Sequence, residues 1–182
     1  MKRNLIGLLL LLAVAGAFLT PVVVQGKSKT QYASGGLFLW LSDAGTAICV
    51  GGTPTAWFPP CDYPGTRESI WRDFVGPVWF EEVTGNAATY FTGTWEIRGN
   101  CNLDQNLAGP CWGTFEGAAQ GGKWEGTWNG RLDFISFGAD LSFVGYGTGG
   151  SVEGLHMMLE AAAETGSETA PIPFTARVFK VE

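Results

Sequence analysis

Histidine is the scarcest ionisable residue of this 182-residue chain, and its scarcity excludes several kinds of site. His156 is the one histidine, so a metal site built from several histidines is excluded, and any histidine-dependent catalysis must use His156. The cysteines offer no close C-x-x-C pairs, which a four-cysteine zinc site normally requires. We therefore predict neither a metal nor another cofactor.

Basic residues are also few, with 11 Lys and Arg against 17 Asp and Glu and a formal net charge of −6. A nucleic-acid partner would require a basic stripe, which is missing, and attraction to anionic lipid is disfavoured for the same reason. The acids are dispersed along the chain, which indicates a solvated surface and not an acidic tail.

The N-terminus has the organisation of a secretory signal peptide. A short basic head precedes the uncharged apolar stretch Leu5–Leu19, Pro21 follows, and small residues offer a cleavage point before Lys27. We predict that residues 1–26 are a signal peptide and that the protein is extracytoplasmic, either secreted or periplasmic. An uncleaved membrane anchor is the alternative, because the apolar stretch extended to Val24 is just long enough to span a bilayer.

Residues 27–182 are enough for one domain with a real core and too few for two. Four cysteines in an exported chain predict two disulfides, for which three pairings exist. We favour Cys49–Cys61 and Cys101–Cys111, because each pair closes a short, turn-rich segment of sequence.

The run from Lys123 to Phe134 alternates between apolar and polar residues without exception. Because side chains of a strand alternate between its two faces, this run predicts a β-strand with one buried face. The buried face carries Trp124, Gly126, Trp128, Gly130, Leu132 and Phe134. Glycines between large aromatics on one face indicate close packing or a sharp bend.

Other segments rich in aromatic and β-branched residues also predict strands, separated by turns such as Gly85-Asn86 and the hairpin at Gln120–Gly122. They are Gly36–Leu41, Ala47–Val50, Val75–Val83, Ala88–Arg98, Trp112–Ala119, Leu141–Thr148 and Phe174–Val181. The proline-rich residues 51–69 predict a long loop. Closely spaced strands without helices between them favour a barrel or a sandwich.

The segment Val152–Glu164 satisfies two patterns. Leu155, Met158, Leu159 and Ala162 have helical spacing, whereas a strand would place Leu155, Met157, Leu159, Ala161 and Ala163 on one face. All neighbouring segments are predicted strands and no strong helix cap precedes it, so we predict a strand here.

Trp124–Gly130 followed by Gly145–Leu155 is similar to uncharacterised exported bacterial proteins. These resemble the small antiparallel barrel of allene oxide cyclase and dirigent proteins, and the resemblance covers residues 88–181. It implies an all-β fold, a single antiparallel β-barrel of the allene oxide cyclase or calycin type with about eight strands, and here with two disulfide-stapled loops. It also implies an apolar small molecule in the barrel mouth, and some members steer a cyclisation without a cofactor.

The eight tryptophans and twelve phenylalanines are the strongest functional signal, although core filling alone is a sufficient role for them. Our first hypothesis is an exported protein that binds a small apolar or aromatic ligand through Trp95, Trp124, Trp128 and Phe134. The alternatives are a cofactor-independent cyclase or isomerase that uses His156 with Glu160, and a module whose aromatic surface meets an envelope protein or a carbohydrate. For His156 and Glu160, a solvated surface pair is the competing interpretation. The oligomeric state stays open.

Overall fold

A computed structural model describes residues 29–43, 45–49, 53–54, 61–62, 69–119, 121–166 and 170–181. The predicted signal peptide, most of the predicted loop at residues 51–69 and the side chain of Cys61 lie outside the described residues. Within the described ranges, no helix has the length and apolar character needed to cross a membrane.

The described part of the chain consists almost entirely of β-strands, together with one short 3-10 turn at Ala88–Tyr90. The strands are β1 Gln31–Leu39, β2 Thr46–Cys49, β3 Thr53–Pro54, β4 Cys61–Asp62, β5 Ser69–Thr84, β6 Gly93–Leu103, β7 Ala108–Ala119, β8 Gly122–Asp133, β9 Gly138–Gly150, β10 Leu155–Ala163 and β11 Ile172–Lys180. The all-β prediction is confirmed.

Nine of these strands form one antiparallel sheet in the order β1-β11-β10-β9-β8-β7-β6-β5-β2. Because β1 also pairs with β5, all of them except β2 form a ring. Strand β5 is long enough to pair with β2 through its first residues and with β1 through its last ones. A register shift between Trp71 and Phe74 separates the two halves, and Asp73 in that shift has a φ of 58°.

Several predicted strand boundaries were wrong, most of all at β1, β5, β6 and β7. The strand expected at Val75–Val83 begins at Ser69, and the strand expected at Ala88–Arg98 begins only at Gly93. The 3-10 turn that replaces its first residues is attached to β1, since the Ala87 N–H donates to the Tyr32 carbonyl at 3.0 Å. Phe91, directly after this turn, is fully buried and packs against Phe80 and Trp95.

The ambiguous segment Val152–Glu164 contains strand β10, so the strand prediction is confirmed. Met157, Leu159 and Ala161 are each about 1% exposed, and Leu155 and Ala163 on the same face are half-buried. Burial on the inner face of the ring therefore determines the secondary structure of this segment, and its helical propensity does not.

The predicted Cys101–Cys111 disulfide is confirmed. The two cysteines are direct partners on β6 and β7, so the bond joins neighbouring strands near the turn that follows Leu103. It does not close an irregular loop, as the turn-rich sequence had indicated, because the strands continue past the cysteines. Cys49 is disulfide-bonded as well, whereas its predicted pairing with Cys61 stays a prediction. A disulfide is consistent with an oxidising, extracytoplasmic environment.

The inner face of the ring packs aromatic rings against glycines of neighbouring strands. The Phe115 ring lies where a Cβ on Gly126 or Gly145 would be, 2.6 Å and 2.5 Å from those positions. Trp95 lies in the same way against Gly117, its direct partner on β7. Gly126 of the alternating sequence therefore makes room for an aromatic ring from the neighbouring strand β7.

The turn after β8 is held by one carboxylate. Asp133 accepts hydrogen bonds at Oδ1 from the backbone N–H groups of Ile135 and Ser136, both at 2.9 Å. These bonds, above all that from Ser136, hold the pKa of the Asp133 carboxyl below its usual value. The turn returns the chain from β8 into β9, so this acid has a structural role at the end of a hairpin.

Candidate functional site

The tryptophans predicted to bind ligand lie in the core of the ring. Trp95 is 6% exposed, Trp124 0% and Trp128 1%. Trp95 contacts Phe80 and Phe115 at ring-centroid distances of 5.4 and 5.7 Å. These are ordinary distances for packed aromatic side chains, so Trp95 is in direct contact with both rings.

Trp128 and Phe134 complete the predicted set but belong to different surroundings. Trp128 packs against Phe74 and Phe143 at centroid distances of 6.0 and 6.2 Å. Phe134 lies in the turn after β8, half-buried, with its ring 4.8 Å from that of Trp71. The four residues therefore belong to one core cluster, with Phe134 packed against its edge.

The indole N–H groups of the buried tryptophans differ in their hydrogen bonding. Trp128 Nε1 donates to the Arg98 carbonyl at 3.1 Å. For Trp95 and Trp124, no acceptor for Nε1 is found in the described part of the chain. A buried donor without an acceptor costs about 1–3 kcal/mol, so each of these groups calls for an explanation.

A groove of about 340 Å³ lies on the outer side of the ring. It is formed where β10, β11 and β1 run side by side and the chain leaves β5. Its lining residues are Tyr32, Ala33, Ser34, Thr84, Gly85, Met158, Glu160, Thr175, Ala176 and Arg177. Strand register brings these residues together, because Arg177 is the direct partner of both Met158 and Tyr32.

Two opposite charges line this groove without pairing with each other. Glu160 and Arg177 occupy diagonal positions on β10 and β11, which are about 7–8 Å apart, with a somewhat shorter Cβ–Cβ distance. Among the described side chains, neither forms an ion pair, and Arg177 Nη2 donates only to the thioether of Met158, at 3.6 Å. A thioether is a weak acceptor, so most of the guanidinium's donors face the groove or solvent.

The hydroxyl groups of the groove differ in their hydrogen bonding. Ser34 and Thr84 hydrogen-bond each other at 3.2 Å, which satisfies part of their capacity and connects β1 to the end of β5. Thr175, between Glu160 and Ser34 in the strand pairing, has no side-chain hydrogen bond among the described residues. The groove therefore offers a carboxylate, a guanidinium and a free hydroxyl on one wall of the sheet.

His156 and Glu160 share the outer face of β10 but are not in contact. Four residues along a strand correspond to about 13 Å, and Met158 lies between them. The His156 ring is instead stacked on Phe179, with a centroid distance of 6.0 Å and an interplanar angle of 24°. A general acid or base must reach its partner within about 3 Å, so this structure does not assemble the predicted catalytic pair.

A second set of aromatic side chains lies on the outer face at β1 and β5. Phe38 and Trp79 are direct strand partners and stack at 5.2 Å with an interplanar angle of 4°. Trp79 Nε1 donates to Glu81 Oε1 at 3.2 Å, and Trp40 is 53% exposed. These side chains form an exposed aromatic patch on the outer face.

Sequence reasoning identified Glu160 but missed the other groove residues. Tyr32, Thr175 and Arg177 are separated by up to 145 positions, from 32 to 177, and alternation alone shows only that each points outward. Their proximity depends on the pairing of β1 with β11, the first and last strands of the ring. No local motif signals that pairing.

Comparison of the chain with protein-family models, with curated proteins and with solved structures finds no match. The resemblance to allene oxide cyclase and dirigent proteins therefore stays a prediction.

Proposed function

We propose that the protein is an exported β-barrel that binds a small molecule in the outer groove at β10, β11 and β1. The observation that carries this proposal is the groove itself, whose volume of about 340 Å³ lies within the usual range for small-molecule sites. Its lining combines an aromatic ring and a thioether with a few polar groups, as such sites commonly do. The interior site that the tryptophans suggested stays a second candidate.

Packing favours the outer location. Trp124 and Trp128 are at most 1% exposed and in contact with other rings, so a ligand at these residues would have to displace core side chains. Displacing packed core aromatics costs several kcal/mol, whereas the outer groove needs no rearrangement. The cyclase and surface-interaction roles stay alternative predictions.

Filling the groove should abolish small-molecule binding. Thr175 is exposed on a strand, where tryptophan is well tolerated, so Thr175→Trp should fold and occupy the groove. The measurement is a titration followed by backbone amide NMR with phenylalanine, glucose, adenosine and octanoate as probes. We expect at least one probe to shift groove amides in the wild type and none to do so in Thr175→Trp.

Thr114→Trp is the matched control, because Thr114 is also an exposed threonine on the outer face of a strand but lies on β7, away from the groove. It should bind like the wild type. Equal loss of binding in both variants, or the lack of any groove shift with all four probes, would contradict the proposal.

A second candidate is an interior site, supported by the indole N–H groups of Trp95 and Trp124, which have no acceptor in the described part of the chain. Trp95 and Trp124 are both strand partners of Gly117, so they lie at one level of the ring on either side of β7. A buried ligand with an acceptor oxygen would satisfy both donors. A ring of eight strands is about the size at which the interior is either filled by side chains or holds one small ligand.

Tryptophan-to-phenylalanine variants test the interior candidate through thermal stability. Trp128→Phe should destabilise the protein by about 1–3 kcal/mol, because it leaves the Arg98 carbonyl without this donor. If an interior acceptor is bound, Trp95→Phe and Trp124→Phe should cost a similar amount. If these two variants are neutral or more stable than the wild type, the interior candidate is rejected.

A further inference from the structure

We infer that the ligand of the outer groove is a small zwitterion, whose anionic group binds Arg177 and whose cationic group binds Glu160. This inference rests on the proposed function of the groove and specifies its ligand class. The chemistry is that of a free amino acid or a similar molecule with a carboxylate and an ammonium group.

The charge arrangement of the groove carries the inference. Glu160 and Arg177 line the same groove, and neither forms an ion pair in the part of the chain that the structure describes. Their diagonal placement on adjacent strands brings the two side chains close enough for one small molecule to contact both charged groups. A guanidinium presents several donors in a planar fork that matches a carboxylate, and a carboxylate is the natural acceptor for an ammonium group.

Two other exposed arginines, Arg98 and Arg131, each have a carboxylate of the protein nearby. Arg98 Nη2 lies 3.5 Å from Glu96 Oε1, and Arg131 Nη2 lies 3.7 Å from Asp104 Oδ2. Arg177 has the thioether of Met158 instead. The guanidinium in the groove therefore retains its capacity for an external anion.

The uncharged walls of the groove fit the rest of such a ligand. Tyr32 is 57% exposed and is the strand partner of Arg177, so its ring borders the anion position. Met158 lies on the opposite side of Arg177, and a methionine side chain adapts to apolar groups of different shape. The Thr175 hydroxyl, next to Glu160 in the strand pairing, adds a hydrogen bond for the ammonium or carboxylate group.

Three related probes separate the two charges of the ligand. L-Phenylalanine carries both charges, N-acetyl-L-phenylalanine only the anion and L-phenylalanine amide only the cation. In amide NMR titrations of the whole protein, we expect the zwitterion to bind about tenfold more tightly than either analogue, since each charge-assisted hydrogen bond contributes about that factor.

Charge-neutralising variants should remove one preference each. In the Arg177→Gln variant, L-phenylalanine should bind no more tightly than L-phenylalanine amide. In the Glu160→Gln variant, L-phenylalanine should bind no more tightly than N-acetyl-L-phenylalanine. Arg98→Gln and Glu116→Gln are the controls, because they change the net charge equally at exposed positions outside the groove. Both controls should keep the full preference for the zwitterion.

The outcomes distinguish this inference from the proposed function. If all three probes bind equally in the wild type, or if Arg177→Gln and Arg98→Gln weaken binding to the same extent, the zwitterion inference is overturned. If glucose, adenosine or octanoate then still binds to the wild type but not to Thr175→Trp, the groove remains a binding site for another class of ligand. Binding of no probe at all overturns both proposals.

Discussion

Replacing Gly99 by alanine is expected to destabilise the protein by about 2–3 kcal/mol, although it adds a single methyl group. A Cβ at this position would overlap Cζ2 of Trp128 and lie 2.6 Å from Cζ of Phe74. Both rings are at most 1% exposed, and each is held by other side chains of the core. Both rings belong to the packed core cluster, so the methyl group would force strain into the interior.

Gly149→Ala is the matched control for this prediction. A Cβ on Gly149 would have no atom within 4 Å, so the same substitution should change stability by less than about 0.5 kcal/mol. The measurement is the midpoint of chemical denaturation for both variants under identical conditions. Equal midpoints for the two variants would show that the aromatic rings packed against Gly99 tolerate a Cβ there, which would contradict the prediction.

The same contacts show how far the sequence predicted the core. Strict alternation placed Trp124, Trp128 and Leu132 inside correctly, because one buried face imposes a period of two on a strand. It did not show what fills the space over the glycines. That depends on which strand lies alongside, as with Phe115 on β7 against its direct partner Gly126 on β8. Register between strands, and not local pattern, fixes such contacts.

The candidate site was predictable only in part, for a related reason. Glu160 was identified by its proximity to His156 in sequence, but strand geometry separates these two residues and brings Glu160 close to Thr175. The groove then depends on Tyr32 and Thr84, which reach it because the first strand pairs with both the last strand and the end of β5. Contacts between such distant segments leave no periodic signal in the sequence.

Removing the Cys101–Cys111 disulfide is expected to cost about 2–3 kcal/mol of stability. The bond joins residues separated by 10 positions, so it restricts the unfolded chain over a short loop. In the native state the same residues are already direct partners of paired strands, and the bond adds few contacts there. The stabilisation should therefore come mainly from the lower conformational entropy of the oxidised unfolded chain.

A double variant, Cys101→Ala with Cys111→Ala, tests this better than a reducing agent, because Cys49 is also disulfide-bonded and would be reduced too. Alanine suits both positions, since these cysteines are at most 1% exposed. We expect an unchanged native near-ultraviolet spectrum, a lower denaturation midpoint and a larger m-value, because the variant's unfolded chain is less compact. A lower midpoint with an altered native spectrum would instead locate the role of the disulfide in the folded β6–β7 hairpin, and an unchanged midpoint would contradict the prediction.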